Sequence, residues 1–165
     1  MFMIFNRDGK VSSLRISLSV FGLGVLLVVA AVISYFVDQA SYRTPLEIEP
    51  FPGSVYAGTI EGNASSNEVY YRVAGGNPEA VVAHYNKLYD QSRFRDISEE
   101  RCLRYPPAGN YPAFDQGREV PPYQYICLYQ RNGLRASHVT EVTIQPGIKD
   151  REGSVIILHN QAWQP

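Results

Sequence analysis

The sequence is poor in the residues on which most site chemistry depends. Two cysteines, Cys102 and Cys127, and three histidines, His84, His138 and His159, are spread over 165 residues. No C-x-x-C pair, C-x-x-C-H haem attachment or H-x-x-x-H pair occurs, so neither a redox dithiol nor a histidine metal site follows from spacing. No serine stands in G-x-S-x-G, which removes the commonest nucleophile signature. G-x-G-x-x-G and the P-loop lysine are also missing, and Gly75-Gly76 ahead of a helix start reads as a strand-to-helix turn rather than a phosphate cradle. The adjacent acids Glu99 and Glu100 would point to opposite faces of a strand, which suits solvated charge better than an acid–base pair. Internal repeats are absent. No cofactor, metal ligand or catalytic residue is assigned, and the chain alone is read as non-enzymatic.

An excess of charge of one sign is lacking too. The formal net charge is -1, so neither nucleic acid nor an anionic membrane surface is an expected partner. At this length, one compact domain remains once a membrane anchor is set aside.

What the sequence does have is a long apolar run. Residues Ile16 to Val37 contain no charged side chain. A helix of roughly 22 residues matches the hydrocarbon thickness of a bilayer. Arg7, Lys10 and Arg15 precede the run against Asp8, whereas Asp38, Glu47 and Glu49 follow it with only Arg43 between. Basic flanks stay in the cytoplasm, which puts residues 1–15 there and everything after the span on the periplasmic or extracellular side. A cleaved signal peptide is the main rival. The run is longer than a signal core, and a cut after Ala40 would meet Asp38 where a small residue is required, so a retained anchor is expected. Within it, Ala30 and Ser34 lie four apart near Gly22 and Gly24, a pattern either for helix packing or for plain lipid exposure.

Beyond the anchor, residues 38–53 carry Pro45, Pro50 and Pro52 and read as a stiff spacer, with the folded domain covering 54–165. Strands are expected at Ser54 to Ile60 and Glu68 to Ala74 around a longish Glu61–Asn67 loop. That loop contains the acceptor pattern Asn63-Ala64-Ser65. Asn77 and Pro78 then start a helix running to about Gln91, with Val81, Val82, Tyr85, Leu88 and Tyr89 on one face. The stretch Ser92 to Asp96 is irregular, and a short strand follows at Arg101 to Tyr105. A proline-rich stretch from Pro106 to Pro122 shows no periodicity, which marks it as functional or loosely held. Three further strands are expected at Tyr123 to Gln130, Ser137 to Gln145 and Ser154 to His159, the first two joined by an Asn132-Gly133 hairpin turn. This order gives an α+β fold class: an N-terminal single transmembrane helix, then an antiparallel sheet with one covering helix whose last three strands pair in sequence.

Cys102 and Cys127 fall in the segment expected outside the cytoplasm, where disulfides persist. Bonding them would close a loop of about 25 residues and contribute roughly 3 kcal/mol in the chain-entropy model; two separate buried thiols are the alternative. The histidines read by default as surface or cap residues. Tyr105, Tyr111, Phe114 and Tyr123 punctuate the proline-rich loop, and tyrosines on a conformationally restricted loop suit a partner contact. Otherwise they cover the domain's own core.

The stretch Asn77-Pro-Glu-Ala-Val-Val-Ala-His-Tyr-Asn-Lys-Leu resembles a pattern in small, membrane-tethered exported domains of bacteria. That pattern often continues with glycine and tryptophan after the helix, where this chain has Arg93 and Phe94. The whole layout is similar to single-span accessory subunits of bacterial respiratory or photosynthetic electron-transfer complexes, alternative complex III among them. The resemblance implies a role in assembly, with other membrane-protein subunits as partners and cofactors held elsewhere. A free-standing module is the other expectation, binding a small ligand or peptide between helix and sheet in a pocket lined by Tyr85 and Tyr89.

Overall fold

The structure is a computed structural model that describes residues 13–89, 102–115, 117–133 and 136–164. Helix α1 spans Ser13–Ser41, 29 residues, or roughly 43 Å at 1.5 Å per residue. From Ile16 to Ser41 it is long and apolar enough to cross a membrane. Apolar residues occur all round it, Leu18, Phe21, Leu26 and Phe36 among the exposed ones, so no single face could be selected by a soluble core. The helix continues past Val37 because its backbone ladder tolerates Asp38, Gln39 and Ala40; the apolar run sets the limit of a lipid-compatible segment, not of the helix. The charged lead Arg7, Asp8 and Lys10 lies outside the described residues, as does the side chain of Arg15.

The remainder, Ser41–Pro165, forms a separate compact unit. Its strands are β1 Val55–Asn63, β2 Ser66–Ala74, β3 Leu103–Tyr105, β4 Phe114–Asp115, β5 Arg118–Glu119, β6 Gln124–Asn132, β7 Ser137–Pro146 and β8 Ser154–Ala162, with helix α2 at Pro78–Tyr89. Six strands make one sheet in the order β1-β2-β8-β7-β6-β3, and β4-β5 form a small separate ladder. Every pairing is antiparallel, and β6, β7 and β8 are neighbours in chain order as expected. The mixed α+β architecture therefore stands. What joins the first hairpin to the meander is the β2–β8 pairing from Ser66↔Ala162 to Ala74↔Ser154.

Local chemistry explains the starts and turns. Asn77 caps α2, its Oδ1 accepting from the Glu79 amide at 2.9 Å, while Pro78 takes the first position, where no donor is needed. Gly76 lets strand and helix meet: a Cβ there would stand 2.8 Å from Val73 and 3.1 Å from Val155. The loop expected at Glu61–Asn67 is much shorter, because β1 and β2 run on to pair Asn63 with Ser66. The Asn63 side chain closes the turn by accepting from the Ser65 amide at 2.9 Å, a side-chain substitute for a longer loop. Asn132-Gly133 leads into the hairpin expected between β6 and β7. Asn132 pairs with Ser137, and the Gly133 amide donates to Ala136 O at 2.7 Å. Glycine is needed there for closeness, since a Cβ would lie 2.8 Å from the Tyr42 ring.

Two elements cover one face of the sheet. Helix α2 buries Val81, Val82, Tyr85 and Leu88. Cross-strand registers line up Tyr125, Ile144, Ile157 and Tyr71 in one inward row and Cys127, Val142, His159 and Val69 in the next. A helix of 12 residues is about 18 Å long and too narrow to roof six strands spaced about 4.8 Å apart. The residues read as a stand-off spacer complete the cover. Tyr42, Leu46 and Ile48 are buried, Leu46 and Ile48 in the core cluster with α2. Thr140 Oγ1 donates to Leu46 O at 2.6 Å, Gln161 Nε2 donates to the same oxygen at 3.3 Å, and the Gln164 amide donates to Tyr42 O at 3.2 Å. This segment is a strap rather than a linker, because Leu46 and Ile48 contribute about 1.5–3 kcal/mol each when buried.

Candidate functional site

The proline-rich stretch between β3 and β6 is ordered by a single guanidinium. Arg104 lies at the middle of β3, opposite Tyr125. From there its Nη1 donates to Pro106 O, and its Nη2 donates to Gly109 O at 2.7 Å and to Asn110 Oδ1 at 3.3 Å. The same group stands 4.7 Å over the Tyr123 ring, which meets Tyr125 edge-on at 5.9 Å. Backbone bonds then tie the arms together: Tyr111 N donates to Pro122 O at 2.7 Å and Val120 N to Ala113 O at 3.1 Å. At the base, Cys102 and Cys127 are bonded, S–S 2.04 Å, which fastens the start of β3 to β6. The loop is thus held, not loose, and its lack of sequence periodicity reflects prolines and a clamp instead of a repeating ladder.

The four aromatics expected at a contact take different roles. Tyr105 and Tyr111 face solvent, 37% and 39% exposed. Tyr123 is half-buried and serves the clamp; burial and the Glu79 carboxylate push its hydroxyl pKa up against the opposing pull of Arg104. Phe114 lies in β4, and its side chain is outside the described residues. Tyr111 also lines a cleft of about 390 Å³ with Pro112, Asp115, Val120, Pro121, Gln124 and Gln145. Among the described residues that lining holds one carboxylate, two amides and no cation, which suits neutral polar or apolar groups better than phosphates.

Between helix and sheet there is packing where the alternative expectation placed a pocket. Tyr85 is fully buried and shares a 2.8 Å hydrogen bond with His159 Nε2; Tyr129 OH donates to Tyr85 O at 2.8 Å. Tyr89 stacks on Tyr129 at 4.5 Å and donates to Leu128 O at 2.8 Å. Burial raises the pKa of Tyr85, Tyr129 and Tyr89, the last to about 12, so all three remain phenols. Among the described residues, these rings fill the space where that pocket was expected.

Two of the three histidines depart from the surface positions expected of them, while His84 is half-buried on α2. His159 is 1% and His138 4% exposed. Burial holds His159 down to about 4. His138 is lowered by burial despite its 3.3 Å bond to Thr44 O, and Arg131 adds to the lowering. Both are neutral packing residues, and no group of three potential ligands gathers among the described residues. Glu99, Glu100, Arg93 and Phe94 lie outside the described residues. On α1, Ala30 and Ser34 share a face, while Gly22 and Gly24 point about 200° apart and have nothing within 4 Å. The Arg104 clamp escaped sequence reading because one arginine beside Tyr105 and two prolines carries no motif. The Tyr85–His159 pair is 74 residues apart and had no local signal.

Comparison with family models, with curated proteins and with solved structures returned no match.

Proposed function

We propose that this chain is a non-catalytic, membrane-anchored subunit that docks on neighbouring membrane-protein subunits through the clamped loop between β3 and β6. The observation that carries the reading is the Arg104 clamp: it fixes the loop in advance, so displaying Tyr105 and Tyr111 to a partner costs little ordering entropy. The apolar α1 supports the anchor. Basic residues ahead of α1 and the Cys102–Cys127 bond support placing the domain on the periplasmic or extracellular side, since disulfides persist there and basic flanks stay inside. Resemblance to accessory subunits of respiratory and photosynthetic assemblies makes an electron-transfer complex the first place to seek the partner. Cofactors belong to those other subunits. The cleft beside Tyr111 favours a second reading, a free-standing module that holds a small neutral ligand or peptide.

The test is gentle detergent extraction of native membranes, native separation and mass identification of what travels with the chain. Migration in one defined larger assembly is the expected result, with Tyr105→Ala plus Tyr111→Ala shifting the chain to a smaller species. Recovery as a lone monomer under the mildest conditions favours the second reading.

A further inference from the structure

Strand β1 forms the edge of the sheet away from the clamped loop. Natural edges are blunted by lysine, proline, shortness or irregularity. β1 has nine residues, Val55–Asn63, with neither lysine nor proline among them. Val55, Tyr56 and Ile60 are 67%, 58% and 57% exposed, so nothing among the described residues covers them. Register shifts between Tyr56 and Gly58 and between Glu61 and Asn63 are its only irregularities, and they leave Gly58, Thr59, Ile60 and Glu61 regularly paired with β2. Beside that run lies a cleft of about 620 Å³ lined by Gly58, Thr59, Ile60, Tyr70, Arg72 and Arg151, among others. Neither Arg72 nor Arg151 makes a side-chain hydrogen bond or ion pair among the described residues, and no carboxylate lines the cleft.

Two independent features therefore adjoin: an open backbone edge, and a cleft on the neighbouring sheet face where the exposed guanidiniums of Arg72 on β2 and Arg151 just before β8 stand over an apolar floor that includes Ile156. We infer that β1 is a second docking edge, where an extended acidic segment of a partner protein adds as a strand along Gly58 to Ile60, short of the Glu61 carboxylate, and reaches across the cleft to Arg72 and Arg151 with its own carboxylates. Main-chain pairing supplies the affinity, and the paired charges choose the partner. Guanidiniums suit this role because they hold a carboxylate through two parallel hydrogen bonds.

The full chain in zwitterionic nanodiscs provides the test, read by fluorescence anisotropy. The probe is a fluorescein-labelled heptapeptide of alternating valine and glutamate. It should bind, and its valine–lysine counterpart should not. Arg72→Glu combined with Arg151→Glu should weaken the acidic peptide by about tenfold or more and improve the lysine peptide, with circular dichroism unchanged because both side chains are exposed. N-methylation of alternate peptide amides should abolish binding by removing the ladder hydrogen bonds. Undiminished binding of the methylated peptide would overturn strand addition, since charge alone would then explain the contact. Binding unaffected by the double charge reversal would overturn the assignment of the two arginines. Competition by nanodiscs of phosphatidylglycerol would assign the arginines to lipid, and self-association that blocks the peptide would assign the edge to a second copy; either result overturns the acidic-partner reading.

Discussion

At one edge of the six-stranded sheet β3 runs for three residues, Leu103–Tyr105, and is fastened to β6 by a disulfide and to its following loop by Arg104. At the other, β1 runs for nine residues and ends in a tight Asn63 turn with no cover on its exposed side chains. Short strands with few ladder bonds need outside fixing, whereas a long strand paired with β2 from Val55 to Asn63, apart from two register shifts, does not. The consequence is a division of labour: the β3 edge displays fixed side chains, and the β1 edge displays backbone.

The largest expected effect breaks the β3 side. Cys102→Ser with Cys127→Ser should lower unfolding free energy by about 3 kcal/mol, from the entropy of a loop of about 25 residues. Urea titration followed by the fluorescence of Trp163, the single tryptophan, measures it. Peptide binding at β1 should survive in the folded fraction, and its loss would mean the two edges are not independent.

Acidification tests the middle of the sheet, from which both edges hang. His159 on β8 titrates at about 4 when folded, below its ordinary 6.5, because burial opposes the charged form. The unfolded chain therefore binds more protons between these values, and stability is full above pH 6.5 and falls as pH drops toward 4, by roughly 3 kcal/mol over the whole window. Denaturation midpoints at pH 7, 5.5 and 4.5 should decrease in that order. A midpoint that does not move would show His159 to be solvated.

Arg104→Ala should cost about 1–2 kcal/mol, since charge-assisted bonds to Pro106 O and Gly109 O are lost while the disulfide remains. Limited proteolysis should now cut within residues 106–122 faster than wild type. If cleavage stays as slow as before, the prolines alone hold the loop. The smallest effect is predicted at the open edge: Ile60→Thr, at a 57% exposed site on β1, should change stability by less than about 0.5 kcal/mol. A larger loss would reveal packing that the bare edge should not have.

Much of this frame was legible in the chain. The uncharged run specified α1, Asn77-Pro78 specified the start of α2, and apolar spacing specified its buried face. The last three strands paired in order because short connections leave little choice. The cysteines met because the strands flanking the proline-rich stretch are adjacent. Less legible was the strap: Pro45 and Pro50 suggested a spacer, yet Leu46 and Ile48 alternate with Glu47 and Glu49, a half-buried pattern that the prolines obscured. The β2–β8 ladder and the Tyr85–His159 bond were hidden for a different reason, being long-range contacts that no local pattern encodes. Asn132-Gly133 marked the β6–β7 hairpin, but not the packing of Tyr42 beside Gly133, another long-range contact.

Docking through the clamped loop is tested most directly by photo-crosslinking from position 111 in native membranes, with the exposed Glu152 position as control. A discrete adduct of higher mass from position 111, absent from position 152 and lost with Arg104→Ala, is the predicted result. No adduct from position 111, or equal adducts from both positions, would contradict it.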